Sequence, residues 1–222
     1  MAYQSQHIDF YQQILSQLKQ QKLLYACSCS RKKLADHSIY PGFCREADNP
    51  DHTSMALRLK TPDLTVEFED ILQGWVKQNL SVEHGDFIVR RRDEIIAYQF
   101  AVVIDDYRQE VTHIVRGADL LNSTPKQIYL QQLLHYPSLS YMHLPVIVDS
   151  QGKKLSKQNL STPVDQSHPS STMFSLLEAL RQNPPAELKN ASIQEQLEWA
   201  ITHWRPEKLK NISNIPASVL LC

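Results

Sequence analysis

Apolar residues recur at helical spacing near the start of the chain. Ile8, Tyr11, Ile14, Leu15 and Leu18 fall on one face of a helix predicted over residues 8–24. The pattern then breaks. Residues 25–54 carry cysteines, Pro41-Gly42 and Asn49-Pro50-Asp51 and read as irregular, with a short helix over residues 31–36. A period of two appears at 55–60 and again at 65–70, where Val66 and Phe68 share a face, so both read as strands. Residues 86–90 and the stretch from Ile95 onward read as further strand material, joined by a turn near Arg92-Asp93. Residues 97–106 begin helix-like and end apolar and β-branched. Residues 112–116 form a compact strand of the buried type, followed by a turn and short helix at 117–121. Thr124 reads as an N-cap with Pro125 in the first helical position, opening a helix that runs through Leu134. Residues 145–148 read as another buried strand. Helices follow at about 172–181 and 192–203, separated by Asn183-Pro184-Pro185.

Strands alternating with helices argue for an α/β class with a parallel sheet, an irregular insertion at 25–54 and a helical tail. The chain has 222 residues, 42% of them hydrophobic, enough for one core or one core and a small satellite. A net charge of −1 gives no global signal for nucleic acid or membrane, although a local basic face fits within a neutral total. No apolar run reaches membrane-spanning length. The first residues lack the basic and apolar regions of a signal peptide. These features lead to the expectation of a soluble, cytoplasmic protein.

Four cysteines refine the picture. Cys27-Ser28-Cys29 lies fifteen residues before Cys44, and Cys222 ends the chain. A disulfide framework does not suit a cytosolic chain of this size, so the cluster reads as a zinc site of three thiolates that needs one more ligand. His37 is the chemically ordinary choice. Tyr40 is the unusual one, because a phenol must lose its proton to the metal. The plainer alternative is three reduced cysteines in a polar loop. A metal here would act as a structural staple, at about one zinc per chain.

A second candidate follows the strand at 145–148. Asp149-Ser-Gln-Gly152 makes a turn, and Lys153, Lys154, Ser156 and Lys157 follow it. Lysines on such a loop can hold ATP phosphates while a carboxylate attacks phosphorus. Three lysines in five residues also suit a solvated face. Arg116 ends an apolar strand just before Gly117. It is therefore expected to project from a strand's carboxyl end, where open α/β sheets bind ligands and a guanidinium can grip a carboxylate in a fork. Arg90-Arg91-Arg92 reads as capping a hairpin turn against Asp93 and Glu94 rather than as a phosphate contact.

Several segments, in order, carry a resemblance: residues 3–7, Tyr25-Ala-Cys-Ser-Cys-Ser-Arg31, Tyr40-Pro-Gly-Phe-Cys44, residues 85–90, 97–106 and 112–121, and the lysine loop. Together they resemble the glutamyl-Q tRNA(Asp) synthetases, truncated relatives of the glutamyl-tRNA synthetases within class I. Leu155 stands at the family's usual Met and Gln158 at its usual final Ser. The resemblance implies an incomplete Rossmann-type catalytic domain over residues 1–157, with a zinc-binding insertion at 25–54 and a helical tail over 158–222. It implies zinc held by Cys27, Cys29, Tyr40 and Cys44, which favours Tyr40 over His37. It makes Tyr98 and Arg116 glutamate contacts and Lys157 the catalytic lysine at ATP, with Lys154 and Ser156 beside it.

The implied reaction joins glutamate to ATP, with Mg²⁺, as glutamyl-adenylate. It then passes the glutamyl group to queuosine in the anticodon of tRNA(Asp); a monomer is expected. The family's His-containing nucleotide motif has no counterpart among the 222 residues. These residues alone are therefore expected to show little ATP–pyrophosphate exchange. Two other readings are a fragment of glutamyl-tRNA synthetase charging tRNA(Glu), against which the short tail speaks, and a zinc-stapled tRNA-binding remnant without catalysis.

Overall fold

The computed structural model describes residues 3–47, 55–156 and 167–221. The chain divides into two compact units. The first runs to Phe68 and resumes at Val76–Thr112 and Asn122–Leu139; the second comprises Glu69–Trp75, His113–Leu121 and the chain from Ser140 onward.

The first unit is built on the opening helix, α1 (Ile8–Gln20), which buries Tyr11, Ile14, Leu15 and Leu18 as the spacing requires. It ends earlier than predicted. Lys22 takes a left-handed φ of 59°, the chain reverses, and residues read as helix or irregular form β1 (Leu24–Cys27) instead. β1 pairs antiparallel with β2 (Ala56–Leu59), which pairs antiparallel with β5 (Phe87–Arg90). This sheet is thus antiparallel, whereas the alternation of elements pointed to a parallel one. β3 (Thr65–Asp70) shows the alternation read from its sequence, with Val66, Phe68 and Asp70 inward. Its hairpin partner β4 (Gly74–Asn79) escapes the pattern because it is a partly exposed strand with few apolar residues.

The mixed segment at 97–106 is entirely helical, as α2 (Tyr98–Arg108). Its β-branched residues are tolerated because Val103 and Ile104 are buried against the core, and packing outweighs their modest helix propensity. Ile95 lies outside any strand, although Ile96 bridges to Arg90. Residues 31–36 form successive turns rather than a helix. α3 (Thr124–Leu133) starts one residue earlier than predicted, so Thr124 is its first helical residue and Ser123 precedes it. Leu18, Leu59, Phe100, Ile104 and Leu130 meet in one core, where truncating a single Leu to Ala costs about 2–5 kcal/mol.

In the second unit, β7 (Ser140–Leu144) lies between the Asp70 end of β3 and β6 (His113–Gly117), parallel to both. β6 is half-exposed rather than buried, with Val115 56% accessible. A second parallel pair joins β8 (Val146–Val148) to β9 (Asn214–Pro216), a strand too short for its pattern to show. The helices read at about 172–181 and 192–203 are α4 (Pro169–Ala179) and α5 (Ile193–His203). Ser192 caps α5 reciprocally with Glu195, satisfying two donors at its start. Among the described residues, no helix is long and apolar enough to cross a membrane.

Candidate metal centre and ligand-facing strand

Cys27 is the last residue of β1 and is fully buried, so the strand itself delivers one sulfur to a fixed place. The sulfurs of Cys27, Cys29 and Cys44 lie within 4.8 Å of one another, with Cys29 and Cys44 3.6 Å apart. The Tyr40 hydroxyl sits 3.4 Å from the Cys27 sulfur and 3.8 Å from that of Cys29, and accepts the Cys44 N–H at 2.9 Å. A tetrahedral zinc–thiolate shell needs sulfurs about 3.8 Å apart. The donor set and its spacing therefore fit that ion. His37 is exposed, packs its ring edge-on against Phe43 and is not part of the cluster.

The protons of the site are unevenly held. Burial works against the Cys44 thiolate. Hydrogen bonds from the Ser28 main chain, the Tyr40 hydroxyl and Cys29 outweigh it and bring its pKa down to about 6. Burial pushes the Cys29 thiol up. Burial also raises the Tyr40 hydroxyl well above the ordinary phenol range, and its hydrogen bond to Cys27 adds to this. An incoming cation would meet a thiol already inclined to ionise at Cys44 and would have to displace the more firmly held protons of Cys29 and Tyr40.

A buried polar layer supports Tyr40. Asp86 accepts the Tyr25 hydroxyl at 2.7 Å and the Thr61 N–H at 2.7 Å, while Arg58 donates to the Asp86 carbonyl at 2.7 Å and lies over the Tyr40 ring. Gly85, at φ +64°, bridges to Tyr40, and a Cβ there would come within 2.9 Å of the Tyr40 carbonyl oxygen. Arg91 pairs with Asp93 at 2.7 Å and closes the turn as read from sequence, whereas Arg92 reaches away from the turn and donates to the Ser28 carbonyl in the cysteine loop. An open pocket of about 660 Å³ between α1 and residues 93–96 is lined by none of the predicted site residues.

In the second unit, Arg116 lies at the carboxyl end of β6, directly across from His143 in the parallel register. Its Nε–H donates to His143 Nε2 at 3.0 Å. The opposite ring nitrogen, Nδ1, meets Asp70 Oδ2 at 2.6 Å, and both His143 and Asp70 are buried. Asp70 Oδ1 also accepts the N–H groups of Leu72 and Gln73. Sequence reading passed over His143 and Asp70. The signal available was a histidine in the strand beside Arg116 and an aspartate in the strand beyond that, visible only once the strand order is known.

The lysine loop forms a tight turn in which Asp149 accepts the N–H groups of Gln151 and Lys153, and Gly152 takes φ +76°. Lys154 bridges to Val148 and pairs with Asp119 at 2.6 Å, so it lies beside the segment that follows Arg116-Gly117. Ser156 is half-buried at the end of this turn. Lys157 lies outside the described residues. Tyr98, in the first unit, is the first residue of α2 and is half-exposed.

The family described as tRNA synthetases class I (E and Q), catalytic domain, matches residues 43–182. The chain belongs to this family, and with it to the aminoacyl-tRNA synthetase-type ligases. It is 45% identical over 96% of its length to a glutamyl-Q tRNA(Asp) synthetase of Pseudomonas aeruginosa, spanning 73% of that protein. It is 47% identical over 90% of its length to one of Ectopseudomonas mendocina, spanning 68% of it. A crystal structure of a glutamate tRNA ligase from Elizabethkingia meningosepticum superposes with a TM-score of 0.70 at 20% identity, which shows a shared fold. This chain covers about half (53%) of that ligase.

Proposed function

We propose that this chain serves ATP-dependent activation of glutamate and its transfer to queuosine in the anticodon of tRNA(Asp). The observation that carries the reading is Arg116, held at the carboxyl end of a parallel strand with its Nε anchored. In a chain 45% identical to glutamyl-Q tRNA(Asp) synthetases, such a guanidinium suits the carboxylate of glutamate. Tyr98 keeps the glutamate-contact role that the resemblance gives it. Lys154, Ser156 and Lys157 belong to the loop that would neutralise the phosphates of ATP, brought with Mg²⁺ as substrate. Charge develops on the phosphate oxygens in the transfer, and cations placed beforehand stabilise it. Cys27, Cys29, Cys44 and Tyr40 would hold zinc, whose chemistry here is to staple a polar loop rather than to act on substrate.

The test uses labelled glutamate, ATP and tRNA(Asp) with and without queuosine, alongside direct glutamate and tRNA binding by the chain. The reading expects glutamate binding that requires Arg116 and preference for the queuosine-bearing tRNA. Selective binding and charging of tRNA(Glu) would overturn it.

A further inference from the structure

We propose that His143, fixed by Asp70, is a positioning residue that sets the orientation of the Arg116 guanidinium. The inference rests on the reading of Arg116 as the carboxylate-binding group. Three side chains from three adjacent parallel segments form one line. Asp70 ends β3, His143 lies on β7 and Arg116 lies on β6. The 2.6 Å contact between Asp70 Oδ2 and His143 Nδ1 places the ring proton on Nδ1 and turns the Nε2 lone pair outward. Only in that tautomer can Nε2 accept the Arg116 Nε–H, which it meets at 3.0 Å.

The Asp70–His143 half of the relay is built rather than incidental. His143 and Asp70 are fully buried. The Asp70 carboxylate takes three main-chain N–H groups, from Leu72, Gln73 and His143 itself. The Gln73 side chain donates to the His143 carbonyl at 2.9 Å, pinning the residue from its other side. The guanidinium presents its donors in a rigid plane, so fixing Nε fixes the direction in which that plane faces. A swing of the plane would spoil a two-point grip on a carboxylate without removing its charge. Groups that orient a metal-ligating histidine typically matter about 10–100-fold, and an orienting partner of a gripping guanidinium is expected to fall in the same range.

Two measurements test this on the chain as it stands. In the first, glutamate binding is followed by calorimetry for the wild type, R116A, H143N and H143Q. His143→Asn keeps a donor for Asp70 and removes the acceptor at Nε2; His143→Gln places an acceptor near the Nε2 position. The expected result is about ten-fold or greater weakening in H143N with partial recovery in H143Q. A role confined to packing predicts no such recovery. In the second, ¹⁵N NMR reads the tautomer of His143 and the Arg116 Nε–H resonance; its wild-type arm requires no variant to fold and no glutamate to bind, and D70N adds a perturbed comparison. The Nδ1–H tautomer, with the Arg116 signal moved in D70N, is expected. Unchanged glutamate affinity in H143N while R116A loses it, or an Nε2–H tautomer in the wild type, overturns the inference. A wild-type chain that does not bind glutamate overturns the proposed function, and the NMR arm then still decides the Asp70–His143–Arg116 relay.

Discussion

The Arg58 guanidinium lies 3.7 Å from the centre of the Tyr40 ring, a buried cation over an aromatic face. A cation so placed favours the electron-rich form of the ring, the form a metal would need from Tyr40. Arg58→Met and Tyr40→Phe are therefore expected to release zinc to a chelator faster than wild type. His37→Ala is expected to match wild type, since His37 points to Phe43 and stands outside the cluster. Metal content measured on protein prepared without chelator checks the starting point, and Cys29→Ser should lower it.

Gly85→Ala tests the contact beneath Tyr40 by adding one carbon. The new Cβ would meet Ile39 Cγ2 at 2.8 Å and the Tyr40 carbonyl oxygen at 2.9 Å, on a backbone already at φ +64°. The expected loss is about 1–3 kcal/mol, read as a lower denaturant midpoint, with weaker zinc retention alongside it. Gly152→Ala makes a useful comparison. It shares the left-handed backbone but has open space around it, so its cost should come from the backbone alone and leave the metal untouched.

Asp70 sets an acid limit on the second unit. Burial raises its carboxyl, but hydrogen bonds from the His143 ring and from the N–H groups of Gln73, His143 and Leu72 outweigh burial and hold it below the ordinary range. Folding therefore favours its charged form. The contribution is complete above the unfolded carboxyl value of about 3.9 and is lost as the pH falls through the lower folded value. Urea unfolding of wild type and D70N should show a wide gap at neutral pH that closes below about pH 4. A gap of constant width throughout would count against this account.

Lys154 and Asp119 form a partly exposed pair, and such pairs contribute within about 1 kcal/mol. Asp119→Asn should therefore leave the unfolding midpoint nearly unchanged. Lys154→Met should do the same while weakening ATP binding, measured by displacement of a fluorescent nucleotide. A large stability loss in either variant would show that the pair is structural rather than a lysine held ready at the loop.

The parts of this fold legible in the sequence are those whose burial is one-sided. α1 and β3 could be read because Tyr11, Ile14, Leu15 and Leu18, or Val66 and Phe68, face a core that their neighbours avoid. β4 and β9 could not, since one is half-exposed and the other only three residues long. The cysteine cluster was legible from spacing, but preferring Tyr40 to His37 required the resemblance, because local chemistry favours the imidazole. His143 and Asp70 were invisible for a different reason. Their meaning depends on β3, β7 and β6 lying side by side, a long-range relation that no local pattern encodes.

Cys27 ends β1, and Ala56, its partner across the sheet, begins β2, so residues 28–55 must be closed into a loop before these two strands can pair. An ion held by Cys27, Cys29 and Cys44 divides that task. With the cysteines joined, only residues 45–55 remain to be brought round, and the entropy of closing the loop falls. The metal would then act in time as well as in place: refolding of the first unit would be faster with zinc than with chelator, with the cysteine loop closing before β1 and β2 pair.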